Sequence, residues 1–192
     1  MRVVAGKDSE TPHLRPLVDE LLANVKKGTA KWLVFDRGFI DGSTIAYLKK
    51  EHNLDTVFPL KAHMTTYDDA KRLAAIDPRP PIVWRPPEPQ PPSLQGKPEV
   101  IQKRERKRQE TLRRKREEEP PEREPTVQEV RLRVVPHTML WETCDVPLQV
   151  VLLEEHLTDG SSMEWALATT AAVQDPIDVW NLYKVRSAIE ER

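Results

Sequence analysis

Between Pro78 and Pro98, nine of twenty-one residues are proline. Each removes a backbone donor and fixes φ, which favours extended, solvated chain over helix or central strand. Residues 99–119 continue with Arg, Lys, Glu or Gln at most positions and only Val100, Ile101 and Leu112 as aliphatic anchors. A helix there has no continuous face to bury. The chain is therefore expected to fold as one compact domain interrupted by a polar arm. With 32% charged residues and 18 prolines among 192, less of it is available for a core than its length suggests.

Before the arm, the apolar residues change period twice. Leu14, Leu17, Leu21, Val18, Leu22 and Val25 recur at spacings of three and four after Pro12, which predicts a helix over 12–27 ended by Lys26-Lys27-Gly28. Trp32-Leu33-Val34-Phe35 is a short continuous apolar run, the pattern of a strand buried on both faces, and Asp36-Arg37-Gly38 ends it. Asp36 is thus expected at a strand's carboxyl end. Ser43 to Lys50 reads as a helix and Asp55 to Lys61 as a second strand, with Pro59 at an edge or strand end. Arg2 to Ala5 reads as the end of an earlier strand. Strand, helix, strand with short connections predicts an α/β unit whose strands 32–36 and 56–61 are parallel neighbours.

After the arm, Val130, Leu132 and Val134 alternate with polar residues as in a half-exposed strand over 127–135. Residues 148–153 and 165–168 read as two more strands, and Thr158-Asp159-Gly160-Ser161-Ser162 is turn chemistry, so 148–169 is expected to be an antiparallel hairpin. Asp175-Pro176 opens a final helix with Ile177, Val179, Trp180, Tyr183, Val185, Ala188 and Ile189. Four segments result: 1–62, 63–125 as the Pro-rich and charged insertion, 126–170 as a β-rich insertion, and the helix 171–192.

Net charge is −1, but its distribution is uneven. Lys and Arg outnumber Asp and Glu 10 to 8 over 1–62 and 15 to 12 over 63–125, and are outnumbered 11 to 5 over 126–192. Lys103, Arg104, Arg106, Lys107, Arg108 and Arg113 to Arg116 could touch a nucleic-acid backbone, although interleaved glutamates favour a solvated helix or a disordered insert. Cys144 is the only cysteine, which excludes an intrachain disulfide and a cysteine-built zinc site. His13, His52, His63, His137 and His156 are too scattered for a metal set. The five tryptophans are expected to pack in the core, although Trp84 among the prolines could instead be an exposed contact. No apolar run approaches the roughly 18 residues of a membrane span, so no membrane partner and a cytoplasmic location are expected.

Chemistry is concentrated in two short boxes. The first is Asp36-Arg37-Gly38-Phe39 at the strand end. In the second, Tyr183, Arg186 and Glu190 stand three and four residues apart and so project from one side of the final helix. Each alone is weak, since an Arg186–Glu190 pair is an ordinary helical ion pair. Together, in this order and on these elements, they resemble the DDE transposases of bacterial insertion sequences, in the group with an Asp-Arg-Gly-Phe box and a Tyr-x2-Arg-x3-Glu-x6-Lys box. Phe58-Pro59-Leu60-Lys61, Trp180-Asn181-Leu182 and Ile189 also fit. The resemblance covers roughly residues 9–62 and 163–192.

That resemblance implies a partial ribonuclease-H-like fold, with Asp36 and Glu190 as catalytic carboxylates and metal ligands. It implies Mg2+, which Mn2+ could replace, for in-line phosphodiester cleavage and strand transfer. Tyr183, Arg186 and Arg37 would bind DNA at the inverted-repeat ends of a transposable element, with a homodimer in the full-length protein. The family's first Asp would lie upstream of residue 9 and its Lys at position 197, so the chain is expected to be truncated at both ends, with Asp8 a poor substitute. Asp41 is the nearest rival metal carboxylate. Asp36 could instead simply cap the turn that follows it. One rival reading is a decayed, non-enzymatic DNA-binding fragment. Another is an Asp-dependent phosphotransferase, disfavoured because Gly38 stands where such enzymes place a second Asp. The expectation is that this chain alone does not cut or join DNA, since the bridging carboxylate is missing. Incubation with element-end DNA in Mg2+ or Mn2+ tests it, and cleavage abolished by Asp36→Ala and by Glu190→Ala would contradict it.

Overall fold

A computed structural model describes residues 11–26, 28–87 and 125–190, together with residues 101, 103, 104, 106–108, 110, 111 and 113; of residues 11, 12 and 187–190 it describes the backbone alone. The described residues form, in order, α1 (Thr11–Asn24), β1 (Trp32–Val34), a 3-10 turn (Arg37–Phe39), α2 (Gly42–His52), β2 (Asp55–Pro59), α3 (Thr65–Ile76), β3 (Ile82–Trp84), β4 (Val127–Val134), β5 (Met139–Trp141), β6 (Cys144–Leu157), β7 (Ser162–Thr169) and α4 (Pro176–Glu190), besides helical residues between 101 and 113. The expected strand end at Arg2–Ala5 and Asp8 lie outside the described residues.

The strands form one mixed sheet in the order β1-β2-β7-β6-β4-β3, with β5 paired to β6. As expected, β1 and β2 are parallel neighbours, with Leu33 opposite Thr56 and Val34 opposite Val57. Every other pairing is antiparallel, beginning with Phe58 opposite Ala168 between β2 and β7. Pro59 sits at the end of β2, where its missing N–H interrupts no ladder, and Leu60 N–H resumes pairing with the carbonyl of Ala166 at 2.8 Å.

Side chains alternate between two apolar faces, as the period of a strand requires. Phe58, Leu148, Val150, Ala166 and Ala168 point to the side where α1, α2 and α3 pack. Val57, Val151, Leu153 and Leu167 point to the other side, against Val179 and Trp180 of α4. Three layers result, helices α1–α3, the sheet, and α4.

Several elements differ from expectation. Helix α1 ends at Asn24, three residues short of 27; the Asn24 amide donates to the Glu20 carbonyl at 2.8 Å and Gly28, at φ +84°, turns the chain. Its buried stripe is Leu14 and Val18, while Leu17 and Leu21 are 44% and 45% exposed. The arm over 78–98 needs correction, because Ile82–Trp84 forms edge strand β3; at an edge the flanking prolines leave few donors unmatched. Helix α3 also falls within the insertion expected over 63–125. It buries Thr66, Tyr67, Ala70 and Ala74, a face of small residues with little hydrophobic contrast. The hairpin expected over 148–169 is present but longer, spanning β6 and β7 with Leu153 opposite Trp165. Gly160 supplies the positive φ of its turn, and the Asp159 carboxylate accepts from Ser161 N–H at 2.9 Å. The described helical residues between 101 and 113 are all exposed.

The start of α2 is fixed twice over. Asp41 is its N-cap, accepting from Thr44 N–H at 2.9 Å and from the Ser43 hydroxyl at 2.8 Å. Burial works to raise the Asp41 carboxyl, but these hydrogen bonds outweigh it and hold the group below its usual range. Gly42 is buried under the β5–β6 turn, where an added Cβ would lie 2.6 Å from the backbone C and O of Thr143 and collide with its side chain. Two predictions follow from this joint. Asp41→Ala should lower stability to urea by about 1 kcal/mol at neutral pH. A carboxyl lowered by folding contributes fully above its unfolded pKa and loses that contribution as pH falls through its folded pKa, so the deficit should vanish in acid; a pH-independent deficit would refute the capping account. Gly42→Ala should cost about 1–3 kcal/mol through overpacking, and an unchanged urea midpoint would show that the Thr143 turn yields.

Candidate active site

Asp36 follows β1 directly. Phe35 N–H still pairs with the Val57 carbonyl at 2.9 Å, so the extended chain carries Asp36 (φ −85°, ψ 166°) just past the strand's carboxyl end. Its Oδ1 accepts from Arg37 N–H at 2.6 Å, and its carbonyl accepts from Phe39 N–H at 3.0 Å. Asp36 thus caps the 3-10 turn, and its side chain remains 46% exposed.

The second box arrives from the other layer. Ile177, Val179 and Trp180 seat α4 on the sheet, and the helix period brings Tyr183 and Arg186 round to β1. The Arg186 Nη1 lies 3.0 Å from Asp36 Oδ2. Its guanidinium carbon stands 5.5 Å from the centre of the Tyr183 ring, which itself packs 5.4 Å from Trp165. Burial pushes the Tyr183 phenol above its ordinary value. Arg37, Glu155, Met163, Glu164, Trp165 and Tyr183 line one open concavity. The structure therefore gathers Asp36, Arg37, Tyr183 and Arg186. Glu190 is the last residue of α4, one turn beyond Arg186, and its side chain lies outside the described residues.

Among the described residues, no three His, Cys, Asp or Glu gather as a metal set. Asp41 is accounted for as the α2 cap. Trp84 packs as the other tryptophans were expected to, and not as the exposed contact that was its alternative: it is half-buried, edge-on to Trp180 at 5.9 Å. Sequence reading passed over Glu155, buried at 7% exposure in β6. The signal was there, since Glu155 follows Val151 and Leu153 at the spacing of two that puts all three on one face of the strand.

No helix among the described residues is long and apolar enough to cross a membrane. No curated protein and no solved structure matches the chain. A family model described as a transposase DDE domain matches residues 1–192, and the chain therefore belongs to the DDE transposase family.

Proposed function

We propose that the chain serves metal-dependent cleavage and joining of DNA at the ends of a transposable element, on a core of ribonuclease-H-like form. The carrying observation is the 3.0 Å contact between Asp36 and Arg186, which joins the box at the end of β1 to the box on α4. Supporting the fold reading are the parallel β1–β2 pair, an Asp at the carboxyl end of β1, and a helix packed across the strands.

Asp36 offers hard oxygens at an exposed position, which suits Mg2+ or Mn2+, and Glu190 on the next turn of α4 would be its partner ligand. When bound, such ions supply Lewis acidity to the attacking and leaving oxygens of a phosphodiester displacement. Arg186 holds Asp36 in place and, with Arg37, presents positive charge to a DNA phosphate. Tyr183, braced against Trp165, orients the Arg186 guanidinium. A non-enzymatic DNA-binding role is the second reading, favoured by the contact that engages Asp36 Oδ2 with Arg186.

Fluorescence anisotropy with duplex DNA bearing the element's ends tests the binding step. Arg186→Gln or Arg37→Gln should weaken binding at low salt and reduce the slope of log affinity against log salt by about one per lost phosphate contact. Mn2+ binding, followed by water-proton relaxation, should be lost in Asp36→Asn and weakened in Glu190→Gln. Mn2+ binding untouched by Asp36→Asn would remove Asp36 from the site, and DNA binding without any metal binding would favour the non-enzymatic reading.

A further inference from the structure

We infer that Lys184 of α4, seated on the rings of Trp84 and Trp180 with the buried Glu155 of β6 within electrostatic reach, sets the rotation of α4 on the sheet and is thereby a positioning residue for Arg186. This rests on the reading of Asp36 and α4 as the DNA-processing site.

Glu155 ends the row Val151, Leu153, Glu155 that faces α4, and the first two are fully or almost fully buried. A carboxylate in such a row is costly unless it is hydrogen-bonded and compensated. The Trp165 indole and the Lys184 ammonium are both near enough to favour its ionised form. Burial nevertheless pushes the Glu155 carboxyl up and holds the Lys184 ammonium down. Other charged or titratable groups facing the concavity are Arg37, Tyr183 and Glu164. The residue opposite Glu155 on β4 is Val130, which is apolar.

Lys184 is also held by rings. Its Nζ stands 4.0 Å from the centre of Trp84 and 5.7 Å from that of Trp180, distances at which a cation is attracted to a ring face. Trp84 belongs to β3, one edge of the sheet, and Asp36 follows β1, the other edge. Residues 184 and 186 are about 200° apart around a helix. Lys184 therefore pulls α4 towards one edge while Arg186 pulls it towards the other, and two opposed anchors fix the roll of a helix that apolar contacts alone would leave free to slip. Tyr183 and the backbone of Glu190 are carried by the same roll.

The test uses the whole chain and two readouts that need no DNA. The first is tryptophan emission against pH, in which Glu155 titrates beside Trp165. Glu155→Gln should abolish the transition, and Lys184→Met should move its midpoint to higher pH, because the positive charge favouring ionised Glu155 is gone. The second is the coupling between Asp36 and Arg186, from a stability cycle with Asp36→Asn and Arg186→Gln. A coupling of about threefold in the unfolding constant, ordinary for a part-exposed pair, should fall to about onefold in Lys184→Met. It should be kept in Lys184→Arg, whose cation can still sit on the Trp84 ring. Full Asp36–Arg186 coupling in folded Lys184→Met, or an emission transition that survives Glu155→Gln, would overturn the inference. Loss of DNA binding by the unsubstituted chain would instead remove the functional reading and leave the clamp standing.

Discussion

The fold depends on β2 being buried from every side. Val57 and Phe58 are wholly inaccessible and face opposite layers, and Thr56 between the sheet's neighbours is equally buried. On one edge β2 pairs in parallel with β1, and on the other it pairs antiparallel with β7. It is the one strand at which an α/β unit and an antiparallel meander meet. At roughly 25 cal/mol per Å2 of apolar area removed from water, its side chains bind the helices of one layer to α4 on the other. Without β2 the carboxyl end of β1 would have no fixed relation to α4, and Asp36 would have none to Arg186.

Both aspartates after β1 use an oxygen on their own backbone. Asp36 caps the 3-10 turn and Asp41 caps α2, yet the two differ in what remains. Asp41 is half-buried, with Oδ2 engaged by Ser43 and Thr44. Asp36 keeps Oδ2 turned towards α4, where Arg186 meets it. The same local chemistry thus yields one structural carboxylate and one that faces the concavity's rim. What separates them is the neighbouring element: a hydroxyl-bearing helix start in one case, a guanidinium from another layer in the other.

Elements with strong periodic contrast could be read directly from the sequence. The apolar run 32–35, the Leu and Val repeats of α1, and the turn residues around Gly160 each specify a local structure with no tertiary help. The parallel pairing of β1 and β2 followed from their short connection. Helix α3 was not legible because its buried face is Thr66, Tyr67, Ala70 and Ala74, and β3 was hidden among prolines that an edge strand can tolerate. For the site, the two boxes led to Asp36, Arg37, Tyr183 and Arg186. Glu155 and Lys184 were missed because their significance is pairwise and lies across layers: a strand glutamate and a helix lysine are unremarkable until Trp84, Trp165 and Trp180 enclose them.

The pairing of Val57 with Thr169 and Phe58 with Ala168 also dictates an order of events as the chain is made. Everything from α1 to α3 is synthesised before β7 exists, so one edge of a strand destined for full burial waits, unpaired, while more than half of the polypeptide is still to come. Closing so long a loop is slow compared with forming the hairpin β6–β7, whose partners are close in sequence. The hairpin is thus expected to form first and dock as a unit on β2. Until it does, the nascent chain carries an open strand edge of the kind that invites pairing with other chains, and its yield in a cell depends on how quickly, or with what chaperone help, that edge is covered.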